Sequence, residues 1–205
     1  MADGSNGYEA IAHQYIGHRG SSAAGVGVET VRQWAGGLPK DADVLDLGCG
    51  SGAPIAKLLA GMGLHVHGVD ASPTMIEAFR TRFPNMPAEC ATVETSRFFD
   101  RTFDAAIAWG LLFLLDAETQ ALVLEKTARS LRSGGHLLFT APERQCEWLD
   151  NLTALPSISL GAREYQRLLA VNGMTVVGET DDEGRNHYYF AVKSTDARSP
   201  SSGSS

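Results

Sequence analysis

The chain has 205 residues, enough for one domain with a substantial core and too few for two of ordinary size. Hydrophobic residues make up 43% and charged residues 20%, the balance of an ordinary globular protein. A net charge of −7 excludes nucleic acid or an anionic membrane as the main partner, because phosphate recognition needs clustered Lys and Arg. No run is apolar and long enough to span a membrane, and the opening Met-Ala-Asp-Gly-Ser-Asn-Gly does not read as a signal peptide. Cys49, Cys90 and Cys146 are odd in number, far apart and form no CxxC pair, which suits a reducing cytoplasm.

Residues 1–7 and 194–205 are polar and rich in Gly or Ser, so both ends are expected to be disordered around a single domain of residues 8–193. Within it helices and strands alternate. Tyr8 to Gly17 reads as an amphipathic helix, and Val28 to Trp34 as a second, closed by Gly36-Gly37. The first strand is Asp43 to Leu47, followed by a helix over Ile55 to Met62 and a second strand over His65 to Val69. Ser72-Pro73 opens the next helix, with Ser as cap and Pro in the first turn, and it ends before Pro84. Ala88 to Ala91 is a short third strand and Phe103 to Trp109 an apolar fourth. A long helix over Ala117 to Leu131 exits through Ser133-Gly134-Gly135 into a fifth strand at His136 to Thr140. After Pro142 the pattern loosens until a helix at Ala162 to Val171. The last two strands, Met174 to Glu179 and His187 to Val192, are joined by so short a polar loop that they must run antiparallel.

The stretch Val44-Leu45-Asp46-Leu47-Gly48-Cys49-Gly50-Ser51-Gly52 carries the most information. An apolar strand enters a glycine turn and then a helix, which presents backbone N–H groups at the carboxyl edge of a parallel sheet. Gly48-x-Gly50-x-x-Ala53 also fits the relaxed dinucleotide fingerprint. Asp46, two residues before Gly48, argues against a pyrophosphate there and for a ligand bearing an ammonium group. Asp70, twenty residues after Gly50, stands where a carboxylate can accept both hydroxyls of a ribose. Ammonium, ribose and no phosphate describe S-adenosylmethionine better than NAD.

These residues resemble a class I S-adenosylmethionine-dependent methyltransferase of the small-molecule type, over about Tyr8 to Lys193. Four motifs in order carry the resemblance: VLDLGCGSG, then GVDASPTMI (68–76), FDAAIAWGLL (103–112) and LRSGGHLLFTAP (131–142). The resemblance implies a Rossmann-like, doubly wound sheet of seven mostly parallel strands, order 3-2-1-4-5-7-6 with strand 7 antiparallel. It implies that Asp46, Gly48, Cys49 and Gly50 hold the methionine moiety, Asp46 through its ammonium. Asp70 takes the ribose hydroxyls, Ala71 and Met75 pack on adenine, and Thr92-Val93-Glu94 line its other face. Many relatives carry Asp where Thr92 stands, so the adenine amino contact falls to backbone or to Glu94. Tyr8, Tyr15 and Arg19 resemble a lid helix closing over the cofactor, and Trp109 sits where cofactor and acceptor meet. The product would be S-adenosylhomocysteine, and the protein a cytoplasmic monomer or homodimer.

Methyl transfer from a sulfonium is an in-line displacement, so alignment and exclusion of water matter more than a dedicated acid or base. Trp109-Gly110-Leu111-Leu112 is not the Asn/Asp-Pro-Pro-Tyr/Phe motif of amide and base methylation. No Pro-Cys nucleophile lies there, no acidic pair for a catechol-bound magnesium follows, and no CxxxCxxC for a radical cluster exists. What remains is a metal-free site with an apolar, aromatic-lined acceptor pocket. Trp148, after the fifth strand, and His187-Tyr188, opening the last, are the acceptor-side candidates, with His187 placed as a general base. His65 and His67 share a strand face but lack a third ligand, so they read as exposed strand histidines, and Phe98, Phe99 and Phe103 read as core. Two alternatives stay open: an NAD(P)-binding oxidoreductase, and a non-catalytic protein that binds the cofactor.

Overall fold

The computed structural model describes residues 4–19 and 25–195. In chain order these form α1 (Tyr8–Arg19), α2 (Val28–Gly36), β1 (Asp43–Leu47), α3 (Ile55–Gly61), β2 (His65–Asp70), α4 (Pro73–Arg82) and β3 (Ala88–Cys90). There follow β4 (Phe103–Ala108), α5 (Ala117–Ser130), β5 (Leu131–Thr140), β6 (Cys146–Leu149), β7 (Pro156–Ser159), α6 (Ala162–Val171), β8 (Met174–Asp181) and β9 (His187–Lys193). Seven strands make one sheet in the order β3-β2-β1-β4-β5-β9-β8. The first five are parallel, and β9 pairs antiparallel with both β5 and β8. This is the expected doubly wound order; only the strand numbers change, because β6 and β7 intervene.

Each face of the sheet is covered, which is why β1 and β4 read as nearly continuous apolar runs. Leu45, Leu47, Phe139 and Tyr189 pack with α5 and α6 on one side; Val44, Ile107, Leu138 and Tyr188 pack with α2, α3 and α4 on the other. Strand order reverses between β1 and β4, and the switch opens a crevice outside their carboxyl ends. Because β9 is antiparallel, its first residues return to that same edge, with Tyr188 opposite Thr140.

Three expectations need correction. Residues 4–7 are not disordered but form a turn: Ser5 Oγ accepts from Glu9 N–H at 2.9 Å, and Asn6 Nδ2 donates to the Leu114 carbonyl. The loosened stretch after Pro142 holds the hairpin β6–β7, tied down by partners far away in sequence. Gln120 donates to the Ile158 carbonyl at 3.1 Å, and Ser159 Oγ to the Pro142 carbonyl at 2.6 Å. His67 is buried rather than exposed, edge-on to Phe99 and Phe103, with Arg101 2.8 Å from its Nε2. The tail beyond residue 195 lies outside the described residues.

Candidate active site

The turn after β1 is built by its glycines. Gly48 and Gly50 hold φ of +70° and +52°, which side chains with a Cβ rarely adopt, and a Cβ on Gly48 would stand 3.2 Å from the Leu111 side chain. The Val69 carbonyl accepts from Gly48 and Cys49 N–H at 2.8 and 3.1 Å, fixing the turn against β2. Gly50 N–H donates to Asp70 Oδ2 at 2.8 Å, and Ser72 N–H to Asp70 Oδ1 at 2.9 Å. Both carboxylate oxygens are therefore oriented by backbone. Burial raises the Asp70 carboxyl above the usual range, against the opposing pull of those N–H groups.

Asp46 lies behind the turn, 2% exposed, and its Oδ2 has no hydrogen-bond partner among the described residues. Burial first, and the neighbouring Asp70 second, push its carboxyl up to about 8. A buried carboxyl with an unmet oxygen is costly unless a cation or donor arrives. Cys49 turns the other way: its thiol packs in the core, so tightly that a Cβ on Gly68 would come within 2.7 Å of Sγ. Burial and the two carboxylates drive that thiol well up, which removes it as a nucleophile.

A cavity of about 980 Å³ extends from this turn. Gly48, Gly50, Asp70, Ala71 and Met75 line one wall, and Thr92, Val93 and Glu94 another. The 92–96 loop is held from below by Lys126 on α5, whose ammonium donates to the carbonyls of Val93, Glu94 and Ser96 at 2.7, 2.7 and 2.8 Å. Glu94 keeps one buried, unpartnered oxygen, Oε2, on that wall. Helix α1 reaches over the cavity, with Tyr8 and Tyr15 in its lining. Its Glu9 carboxylate accepts from Ser72 Oγ, from Thr74 N–H at 3.2 Å and from Thr74 Oγ1 at 2.6 Å, which pins the helix to the N-terminus of α4.

Beyond Trp109 the walls come from the segment after β4 and from the hairpin. The rings of Phe113 and Trp148 stand 5.5 Å apart at 43°. Trp109 Nε1–H donates to Tyr188 Oη at 2.8 Å, and that hydroxyl donates to Asp182 Oδ2 at 2.9 Å. Tyr188 is fully buried and does not line the cavity. His187 does, but its Nδ1 lies 2.6 Å from Asp181 Oδ1 and its Nε2 3.2 Å from Glu179 Oε2.

Residues 44–135 match the family model described as "Methyltransferase domain". The match runs from β1 into β5 and takes in the glycine turn and Asp70. Among curated relatives it is 36% identical over 108 residues to "Aklanonic acid methyltransferase DauC" of Streptomyces sp. (strain C5), covering 48% of this chain and 47% of that protein. The chain thus spans about half the length of the curated relatives it matches. Among solved structures, the amino pentose methyltransferase CalS10 of Micromonospora echinaspora, with S-adenosylmethionine bound, superposes with TM-score 0.67 at 16% identity. That match covers 90% of this chain and 97% of the other. The structure titled "[4+2]-Cyclase SpnF" superposes at 0.74 and 15% identity, covering 95% and 98%. Likeness at this level fixes the fold, and the fold serves more than one chemistry.

Within this fold the geometry gathers Tyr15, Gly48, Gly50, Asp70, Ala71, Met75, Thr92, Val93, Glu94, Trp109, Trp148 and His187 around one cavity. Asp46 sits behind the wall rather than in it, and the Arg19 side chain lies outside the described residues. Three expectations are corrected. Cys49 contributes backbone to the turn but no side chain to the cavity. Tyr188 supports Trp109 from the core instead of meeting an acceptor, because neighbours along a strand face opposite sides. His187 has carboxylate oxygens at both ring nitrogens, so both are engaged by β8 rather than turned to an acceptor. Glu9 and Lys126 were missed. An acid 63 residues from a Ser-Pro-Thr helix start is not a local pattern, and a lysine on a polar helix face reads as solvated. Among the described residues no group of three metal-binding side chains occurs.

Proposed function

We propose that this domain binds S-adenosylmethionine in the crevice at Asp46, Gly48, Gly50 and Asp70 and transfers its methyl group to a small-molecule acceptor held beyond Trp109. The observation that carries this reading is the pair of carboxyls at one crevice: Asp46 buried with an unmet oxygen, and Asp70 fixed by two N–H groups. Such a pair offers a pyrophosphate no positive partner and suits an ammonium with vicinal hydroxyls, which disfavours the NAD(P) alternative. The residues fit the group. Asp46 would meet the ammonium, Asp70 the ribose, Ala71, Met75 and Val93 the adenine faces, and Glu94 Oε2 the adenine amino group. The bound sulfonium supplies an electrophilic methyl and a neutral leaving group.

The chain's own part is alignment and dryness. Helix α1, latched by Glu9, covers the cavity and excludes water, while Trp109, held by Tyr188, stands between the cofactor and acceptor halves. The relatives named for aklanonic acid and for an amino pentose support the small-molecule class. Three free cysteines support a reducing, cytoplasmic setting, and no described helix is long and apolar enough to cross a membrane. Calorimetry with S-adenosylhomocysteine and with NADH tests the cofactor: binding of the first and none of the second is expected. Release of S-adenosylhomocysteine from S-adenosylmethionine across a panel of amines, phenols, thiols and carboxylic acids tests the transfer. Tight cofactor binding with no turnover on any acceptor would move the domain to a binding role.

A further inference from the structure

The acceptor half of the cavity can be read further, on the footing of the transferase reading above. Arg144, in the loop after β5, and Arg185, in the β8–β9 loop at φ +62°, both line it, and neither is paired with a carboxylate among the described residues. Elsewhere Arg32, Arg97, Arg101, Arg129, Arg132 and Arg167 all are. Both side chains are exposed and line one cavity, where in a chain with 24 acidic against 17 basic side chains they stand free to meet an anionic ligand. The carboxylates of that wall are engaged, apart from one. Asp150 accepts from Leu152 and Thr153 N–H at 2.9 and 2.8 Å, and Asp181 holds His187. Glu143 has no described partner, but it is exposed to water beside Arg144.

The same wall offers no sheltered base. His187 is held at both nitrogens, and the Tyr188 hydroxyl donates to Asp182. A phenol, an alcohol or an amide must lose a proton to react; the buried, unpartnered oxygen of the cavity, Glu94 Oε2, belongs to the adenine wall, and the acceptor wall offers none among the described residues. A carboxylate arrives ionised at neutral pH. The rings of Phe113 and Trp148, with Trp109, flank the space in which its body would lie.

We propose that the acceptor is an aromatic carboxylic acid, oriented by Arg144 and Arg185 and methylated on its ionised carboxylate. One carboxylate oxygen forms the bond to the methyl carbon while the carbon–sulfur bond breaks and its electron pair stays on sulfur. A methyl ester and a neutral thioether result, and no proton moves. Two opposite charges cancel in the step, so loss of water around the reacting atoms favours it.

The test starts from protein saturated with S-adenosylhomocysteine, titrated calorimetrically with 2-naphthoate, 2-naphthamide and 2-naphthol. The naphthoate should bind at least tenfold more tightly than the other two. Arg144→Gln combined with Arg185→Gln should erase that preference while leaving S-adenosylhomocysteine affinity unchanged. With S-adenosylmethionine, mass spectrometry should find methyl 2-naphthoate, formed at an undiminished rate by Glu143→Gln. If S-adenosylhomocysteine itself fails to bind, the transferase reading falls. If it binds but naphthoate does not bind, or gains nothing over the amide, or keeps its preference in the double variant, the carboxylate assignment falls alone. A naphthyl methyl ether as the product, or loss of ester formation in Glu143→Gln, overturns it as well.

Discussion

Asp46, one residue before the end of β1, and Asp70, at the end of β2, flank the glycine turn; burial makes both costly to ionise, and the Asp70 charge adds to the cost at Asp46. Only Asp70 has backbone N–H groups to offset that cost; Asp46 carries its carboxyl at about 8. The contrast makes Asp46 the group whose protonation reports on ligand. Below pH 8 it holds its proton in the free protein, and a bound ammonium favours the ionised form, so binding at pH 7 should release up to one proton. Calorimetry of S-adenosylhomocysteine binding in buffers of different ionisation enthalpy measures this directly. Affinity should fall by up to about tenfold per unit as pH drops below 8, and Asp46→Asn should abolish the proton release.

The same shift has a consequence for stability. A carboxyl with a folded pKa of about 8 and an ordinary unfolded value binds more protons in the folded state between those two values. Its contribution to stability therefore declines as pH rises from about 4 to 8 and stays lost above. Above pH 8 the ligand-free Asp46→Asn protein should melt higher than the parent, while the two converge near pH 4. Thermal unfolding across that range checks the sign. A variant that is more stable and binds cofactor poorly is the expected signature of a functional carboxylate.

Asp70→Ala should weaken S-adenosylhomocysteine by roughly 1.5–3 kcal/mol, the worth of charge-assisted bonds to two hydroxyls. It also strips the acceptor from Gly50 and Ser72 N–H, so the turn itself should loosen. Unchanged calorimetric affinity in a folded Asp70→Ala protein would place the ribose elsewhere.

Gly48→Val should abolish cofactor binding and cost stability as well. The backbone at φ +70° resists a β-branched residue, and the Leu111 side chain stands where the new Cβ would go. The strain should be on the order of 1–3 kcal/mol. Denaturant unfolding and equilibrium binding, measured together, separate the two effects; wild-type affinity would refute the turn as the cofactor cradle.

How far the sequence foretold this depends on whether a signal was local. Strand, turn and helix around Val44–Ile55, and the Ser72-Pro73 cap, are periodic or positional patterns within a few residues, and they appear as expected. The β6–β7 hairpin is not local. Its four-residue strands are too short to stand alone and depend on Gln120, itself held by Tyr165 Oη at 2.7 Å. The lid contact is of the same kind: Glu9 finds Ser72 and Thr74 only after α1 has crossed the sheet edge. Tyr188 was legible, since alternation along β9 could not send it and His187 to the same cavity. The error at His187 lay in the loop before it. Asp181 reads as part of the polar loop after a strand ending at Glu179, yet β8 runs on to Asp181 and brings both carboxylates to the imidazole.

That pairing reverses the expectation for His187, which is the sharpest test of the acceptor chemistry. A general base would lose about 10²-fold in turnover on removal and would leave an imidazole step in the pH profile. An imidazole held at both nitrogens by carboxylates gives no such fall. His187→Gln, which keeps a donor but cannot serve as a base, should therefore stay within about threefold of parent turnover. Its loss should instead appear as a modest fall in melting temperature, because Glu179 and Asp181 are left facing one another. His187→Ala should show the same stability loss and a raised KM for the acceptor, since the side chain lines that wall. A hundredfold fall in kcat with KM unchanged, in a folded His187→Gln protein, would restore the base and require the imidazole to leave Glu179 during turnover.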